Sequence, residues 1–464
     1  MKREMMKWAS LALGCFVWML VGGIYAHAES ISVLIADASA EAPATTETTS
    51  AATVSEVMEV EYIPTACPKP CQRRTQFGGW LQTGVYGNEH GSPNGIENGY
   101  PLGNVSQTGW HVQQLWLYAE RKVDTGGYGV DWGFRADAMF GNNAGMVQSW
   151  SDGSFDGDWN DSLTGDGYGY AIPRLYFALG FNRWTLKLGK FDAIMGYESQ
   201  EGPKNFFYSH SYFFNHEPVT HTGALLHFAA NDYLSFNLGL TTGADTGFGN
   251  EYGDFGILAG VNLQVTEKVA LGYTVMWNNA HDLEKREGTG GSWDWPGWNN
   301  RNYFQNYSGL EGEEMLHTFV MTWNITDRLT YVGQINYGSA TGNDIPKLGD
   351  VKAYEQFGFA SYLLYTLTER LSLGVRMEWF RQNDLVGGSR ITTTDAPLPQ
   401  NPSATHQNCY EITVAANYKL TNWLTIRPEM RYDAIFGNYD APMFGNEGRD
   451  NKQLSGGVAL IAEF

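Results

Sequence analysis

Residues 325–338 read ITDRLTYVGQINYG, a short polar segment followed by alternating apolar and polar side chains. The segment predicts a tight hairpin in which apolar Ile325 and Leu329 lie opposite each other across three turn residues. The alternation after it has a period of two, so a helix start is rejected. The same hairpin and apolar pairing are predicted at four related segments: ANDYLS (Ala230/Leu234), VTEKVA (Val265/Val269), LTERLS (Leu367/Leu371) and LTNWLT (Leu420/Leu424).

The strands that these turns join are long and two-faced. In RLSLGVRMEWFRQ (370–382), Leu371, Leu373, Val375 and Met377 share one face, while Arg376 lies on the other. Such segments run about 9–13 residues, the length of a tilted strand that crosses a bilayer, whereas soluble strands centre on about 5–6. A strand in lipid must belong to a closed barrel, because an open edge leaves amides unpaired in hydrocarbon. Aromatic residues near strand ends fit interfacial girdles: Trp184, Tyr233, Tyr331, Trp379, Trp423 and Phe436.

Turn counting gives the strand number. Seven short turns alternate with eight long connections, which predicts an all-β, transmembrane antiparallel β-barrel of about 16 strands over residues 77–464. By analogy with bacterial barrels, the short turns are periplasmic and the long loops extracellular. The final strand (453–464) ends at an aromatic residue, Phe464. The long connections span 88–110, 142–170, 193–218, 243–253, 280–312, 340–350, 383–405 and 436–451.

The N-terminal residues predict export. Residues 1–28 have basic residues, an apolar run and Ala-His-Ala, the order of a secretory signal peptide cut after Ala28. An uncleaved anchor helix is the alternative, because the apolar run is near the minimum length for a span. Residues 29–76, rich in Ala, Thr and Glu, predict a flexible linker. Cys67 and Cys71 within it could form a local disulfide, since exported proteins meet an oxidising compartment.

Charge limits the partners. Without residues 1–28 the chain keeps 27 basic and 49 acidic residues, a formal charge of −22. Nucleic acid is therefore excluded, because it binds a basic surface. A membrane is not excluded, since acidic loops of an exported protein stay in water. No nucleotide-binding motif is present and no Ser–His pair stands out, so we predict no cofactor and no enzyme.

The connection at 193–218 is the candidate constriction. Its segment FFYSHSYFF (206–214) is too apolar to lie free in water, which predicts that the loop folds into the lumen. Packing on the rim or on a neighbouring subunit is the alternative. Strand periodicity places basic wall residues inside, alongside Asp137, Glu378, Glu429 and Asp433. They would either create a transverse field with acidic loop residues or pair with one another. The predicted pore-lining residues are Arg135, Arg174, Lys187, Arg376, Arg427 and Arg431, with Asp192, Glu198, Glu201 and Glu217 in or beside the loop.

Three other sequence patterns are weak indications of a metal or sugar site. His210, His216 and His221 lie near this loop, but sequence spacing does not show that they converge, so we predict no metal site. The Asp- and Gly-rich segment 151–169 departs from the EF-hand pattern, which leaves a solvated acidic loop or a loose Ca²⁺ site. WDWPGW (293–298) offers rings that could stack on sugars or pack between loops.

Three segments also carry a family resemblance. GKFDAIMGYES (189–199), GPKNFFYSHSYFF (202–214) and EPVTHTG (217–223) resemble the signature region of the OmpL-like outer-membrane β-barrel porin family, and the similarity extends over residues 77–464. The resemblance implies a bacterial outer-membrane porin for passive diffusion of small hydrophilic solutes or ions. By analogy with such barrels we expect a homotrimer. The rival interpretations are a plugged barrel, an enzyme on a barrel, and a secreted sugar-binding β-protein.

Overall fold

A single closed sheet forms the body of the protein. The structure, a computed structural model, describes residues 75–91, 108–149, 168–249, 255–280, 312–345, 349–384, 405–437, 444 and 450–464. Its antiparallel strands are β1 (Gln76–Asn88), β2 (Gly109–Arg121), β3 (Val130–Gly141), β4 (Gly169–Ala171), β5 (Leu175–Phe181), β6 (Trp184–Asp192), β7 (Thr220–Ala229), β8 (Leu234–Ala244), β9 (Phe255–Thr266), β10 (Val269–Ala280), β11 (Gly312–Thr326), β12 (Leu329–Ile345), β13 (Gly349–Thr366), β14 (Leu371–Asp384), β15 (Thr405–Lys419), β16 (Leu424–Gly437) and β17 (Lys452–Glu463).

The sheet closes on itself as a barrel. Each strand pairs with its neighbour along the chain, and β1 pairs with both β2 and β17. The short β4 and β5 both pair with β3, so they are two pieces of one barrel strand. The barrel therefore has sixteen strands, which confirms the predicted fold class.

Helices are few in the residues that the structure describes. They are α1 (Ala144–Val147), α2 (Tyr212–Asn215) and a 3₁₀ turn (Gly202–Lys204). None of them is long and apolar enough to span a membrane. The signal peptide, the linker with Cys67 and Cys71, most of the acidic segment 151–169 and the WDWPGW motif lie outside the described residues.

The strands expose apolar side chains outward and bury charged ones inward. On β14, Met377 is 49% exposed while Arg376 is 0% exposed. On β16, Met430 is 56% exposed while Arg431 is 0% exposed. This alternation confirms the predicted faces. It places the apolar faces toward lipid and the arginines toward the lumen.

The predicted hairpin pairing is right at three turns and wrong at two. The backbone N–H of Leu367 donates to Leu371 O at 2.9 Å. The same bond joins Ala230 to Leu234 and Leu420 to Leu424, each at 2.9 Å. By contrast, the register pairs Thr326 with Leu329 and Thr266 with Val269, each next to a β-bulge. Ile325 and Val265 are the extra residues of these bulges, so neither forms its predicted pair.

Threonine has a structural role in these turns. Thr326 Oγ1 accepts the backbone N–H groups of Arg328 at 3.2 Å and Leu329 at 3.0 Å. Thr368 makes the same two bonds at 3.2 and 3.0 Å. Such side-chain acceptors stabilise tight turns. This explains why Thr recurs in the segment.

One predicted loop is shorter than expected. The sequence predicts a long connection at 340–350, but β12 continues to Ile345 and β13 begins at Gly349. Their ladder extends through two register shifts, at Ala340/Thr341 and Gly342/Ile345. The alternation is lost at these irregularities, which is why period two did not reveal the strand ends.

Candidate functional site

Loop 193–218 lies inside the lumen, which confirms its predicted location. It leaves β6, and the hydroxyl of Thr274 on β10 donates to Ile194 O at 3.0 Å. Farther along, the backbone N–H of Tyr197 donates to Gln334 Oε1 on β12 at 3.0 Å. The backbone N–H of Gly202 donates to Gln114 Oε1 on β2 at 3.0 Å. The loop therefore touches strands on opposite sides of the barrel.

Carboxylates of the wall bind the main chain of the loop. Glu429 on β16 accepts the backbone N–H groups of Tyr208 at 2.6 Å and Ser209 at 3.1 Å. Glu378 on β14 accepts those of Tyr212 at 2.6 Å and Phe213 at 2.9 Å. Charge-assisted bonds of this kind are stronger than neutral ones. The two glutamates therefore fix where the loop crosses the lumen.

Three predicted arginines complete this anchor by donating to carbonyl oxygens of the loop. Arg376 Nη1 donates to Ser209 O at 2.8 Å. Arg431 Nη1 donates to His210 O at 2.6 Å. Arg427 Nη1 donates to Gly202 O at 3.1 Å and to Phe207 O at 3.2 Å. We call these three arginines, together with Glu378 and Glu429, the loop clamp.

The charges of the clamp are balanced by neighbouring acids. Arg376 pairs with Glu411 and, at 2.8 Å, with Glu198 of the loop. Arg431 Nη2 pairs with Asp433 Oδ1 at 2.8 Å. Burial alone would raise the pKa of Glu198, but Arg376 and His210 outweigh it and lower that pKa to about 2. Glu198 is therefore a carboxylate at any physiological pH.

Aromatic side chains fill the space around the clamp. Tyr212 is fully buried, donates from its hydroxyl to Asp433 Oδ1 at 3.0 Å, and stacks on Phe380 with ring centroids 6.2 Å apart. Phe213 meets Phe380 edge-on at 5.9 Å. Phe206 lies against Gly374, where an added Cβ would come 2.3 Å from its ring. The aromatic run thus packs on the inner wall instead of facing water.

A second ion-pair chain lies at the start of the loop. Arg174 binds Asp192 at 2.7 Å, Asp137 at 2.9 Å, and Glu201. Arg135 donates to Asp137 Oδ1 at 2.6 Å. The structure therefore brings four of the predicted pore-lining residues into one network: Arg135, Arg174, Asp192 and Glu201. The ammonium of Lys187 lies 5.3 Å from the centre of the Tyr176 ring.

Glu217 fastens the other end of the loop. Its Oε1 accepts from Gln334 Nε2 at 2.7 Å, Asn336 Nδ2 at 2.5 Å and Thr318 Oγ1 at 3.4 Å. All three donors are neutral, and burial raises the pKa of Glu217 to about 8. Glu217 therefore titrates near neutral pH, unlike Glu198.

The three histidines do not share a ligand. His210 Nδ1 lies 2.9 Å from Glu198 Oε2. The His216 ring lies 4.3 Å from the Phe380 ring, and His221 Nδ1 lies 3.1 Å from Gly243 O. Among the described residues, no group of three or more His, Cys, Asp or Glu could hold a metal ion.

Sequence reasoning missed the anchoring role of Glu378 and Glu429. Periodicity placed both on the inner face. Their partners are backbone amides, which cannot be predicted from residue types. The available signal was the position of these carboxylates at mid-strand in a lumen already expected to hold a loop. The wall contributes acids as well as bases to the site.

Several solved barrels resemble this one. An anion-selective porin from Comamonas acidovorans is 10% identical, with a TM-score of 0.49, over 84% of this chain and 99% of that chain. Outer-membrane expressed OmpT of Vibrio cholerae is 10% identical, with a TM-score of 0.48, over 84% and 97%. OprB of Pseudomonas putida is 13% identical, with a TM-score of 0.47, over 84% and 94%. No curated protein matches this chain in sequence.

The family assignment rests on the sequence as a whole. A family model described as "Putative beta-barrel porin-2, OmpL-like" matches residues 74–464, which include every strand of the barrel. The predicted family resemblance is thereby confirmed. This chain belongs to the OmpL-like beta-barrel porin-2 family of outer-membrane proteins.

Proposed function

We propose that the barrel is a passive diffusion channel for small hydrophilic solutes and ions, with loop 193–218 as its constriction. One observation carries the proposal: the main chain of the loop is bound to inner-wall residues from β2 to β16. A lumen narrowed at a fixed depth passes solutes by size and charge. In this proposal the buried charges hold the constriction, and no residue acts as a catalyst.

Conductance in a planar bilayer tests this function. The purified protein is expected to produce regular ion-conducting steps. Arg427→Ala and Arg431→Ala should alter the step size, because each removes a bond to the loop main chain. Unchanged steps in both variants would contradict the proposed constriction.

A second candidate function is a barrel closed by its own loop. One observation favours it: every residue from 207 to 220 is buried. In that case the wild-type protein would show the heat-dependent gel mobility of a folded barrel but no conductance. Loosening the loop clamp with Glu378→Ala and Glu429→Ala together would then open it. A channel conducts before this change, whereas a plugged barrel conducts only after it.

Assembly and export complete the proposal. We propose a homotrimer in the outer membrane, reached after removal of residues 1–28. Light scattering of the detergent complex, corrected for bound detergent, measures the subunit number. The intact mass of the membrane-extracted protein tests whether the mature chain begins at Glu29.

A further inference from the structure

Two charged side chains at the constriction reach water, while the charges between them do not. The side chain of Asp192 is 45% exposed, and that of Lys204 is 34% exposed. Arg174 and Glu201, which lie between them, are each 5% exposed. A permeating ion can contact only groups that reach the water path. In this respect Asp192 and Lys204 differ from Arg174 and Glu201.

Buried ion pairs link these two groups. Lys204 Nζ lies 3.4 Å from Glu201 Oε1, and Glu201 also pairs with Arg174. Arg174 Nη2 in turn lies 2.7 Å from Asp192 Oδ2. The exposed cation and the exposed anion are thus the two accessible ends of one chain of charges.

The main chain two residues before Lys204 is held by two bonds to the wall. Gly202 begins the 3₁₀ turn that ends at Lys204, and its N–H donates to Gln114 Oε1 at 3.0 Å. Its carbonyl oxygen accepts from Arg427 Nη1 at 3.1 Å. Asp192 is the last residue of β6. Both charges are therefore carried by anchored backbone.

Resting on the proposed channel function, we propose that Asp192 and Lys204 set the selectivity of the constriction between small anions and small cations. Lys204 favours anions and Asp192 favours cations. Since the two charges are opposite and joined by compensating pairs, the wild-type channel selects only weakly. The clamp arginines affect the width of the path, and they do not contact the ions.

Reversal potentials across a KCl gradient test this proposal. Lys204→Gln should shift the permeability ratio toward K⁺, and Asp192→Asn should shift it toward Cl⁻. Each shift in the ratio is about six-fold, because one unit charge at about 8 Å in a water-like dielectric changes the level of each ion about 2.4-fold, in opposite directions for K⁺ and Cl⁻. Asp327→Asn, a charge change in the exposed turn between β11 and β12, is the matched control and should leave the ratio unchanged. Gel mobility checks that each variant is a folded barrel.

Opposite shifts are the informative result. If the two substitutions only loosened the loop, each would widen the path. The permeability ratios of the two variants would then shift in the same direction. Shifts of the same sign, or unchanged ratios in conducting variants, would overturn this inference and leave the channel function intact. A wild-type protein without conductance would instead overturn the channel function itself.

Discussion

The carboxylate of Glu429 accepts the backbone N–H of Tyr208 at 2.6 Å, across 221 positions of sequence. Glu378 makes an equivalent 2.6 Å bond to the N–H of Tyr212 across 166 positions. Neither bond uses a side chain of the loop. The wall therefore fixes the path of the loop main chain, whereas the loop side chains decide what packs around it.

Removing the Glu429 carboxylate should loosen the loop. Glu429→Ala leaves the N–H groups of Tyr208 and Ser209 without their acceptor, and each buried unsatisfied group costs about 1–3 kcal/mol. We expect a lower unfolding temperature, measured by heat-dependent gel mobility, and a noisier conductance. Glu369→Ala, in an exposed turn, is the control. Equal unfolding temperatures for the two variants would show that the anchor has no energetic weight.

Gly196 should not tolerate a side chain. Its φ is +78°, and an added Cβ would lie 2.0 Å from Glu217 Oε2. Gly196→Ala should therefore displace Glu217 and destabilise the loop. Gly91 separates backbone strain from steric contact, because its φ is +77° and no atom of the described residues lies within 4 Å of the added Cβ. Gly91→Ala measures backbone strain alone; if it costs as much as Gly196→Ala, contact with Glu217 is irrelevant.

Stability should depend on pH through Glu217. Its pKa is raised from 4.5 to about 8 by burial, so between these values the folded protein retains a proton that the unfolded chain loses. The stabilising contribution is complete below about pH 4.5, declines as pH rises, and is lost above about pH 8. The negative charge of Glu198 also acts to raise this pKa.

Glu217→Gln isolates this effect, because the amide resembles the protonated acid. Unfolding temperatures measured from pH 5 to 9 should fall more steeply for the wild type than for the variant. All other titrating groups are common to both proteins, so their contributions cancel in the comparison. Parallel curves would refute the role of Glu217.

The turn threonines should affect stability and leave conduction unchanged. Thr368→Val removes the acceptor of the Arg370 and Leu371 N–H groups. We expect the free energy of unfolding to fall by about 1 kcal/mol, the usual net contribution of an intramolecular hydrogen bond. The conductance steps should be unchanged. Glu369→Gln, one residue later, is the control for stability. Altered steps in Thr368→Val would mean that the turn takes part in conduction.

Much of the fold followed from the sequence because a barrel strand repeats a local rule. Period two assigned Arg376 to the inner face and Met377 to the outer face, and both assignments hold. Turn register was less predictable. The segments around Thr326 and Thr368 look alike, yet only the first follows a bulge. A bulge depends on how the whole ladder aligns, which no short segment specifies.

The site was partly predictable for a different reason. Opposite charges on the wall and loop suggested pairing, and Arg376 does bind Glu198 at 2.8 Å. Glu378 and Glu429 could not be paired in advance, since they bind peptide groups. Lys204 was not predicted, because its proposed role depends on the exposure of its side chain, and that exposure is set by how the loop packs.

The distance in sequence between the loop and its anchors has a consequence for the order of folding. Glu378 and Glu429 are translated long after residues 193–218, and contacts this far apart form late because a long loop must first be closed. We expect neighbouring strands to pair first, across their short turns. The loop would dock later, onto strands that already present its carboxylates, and the pairing of β1 with β17, which joins residues still farther apart in sequence, would close the barrel late as well.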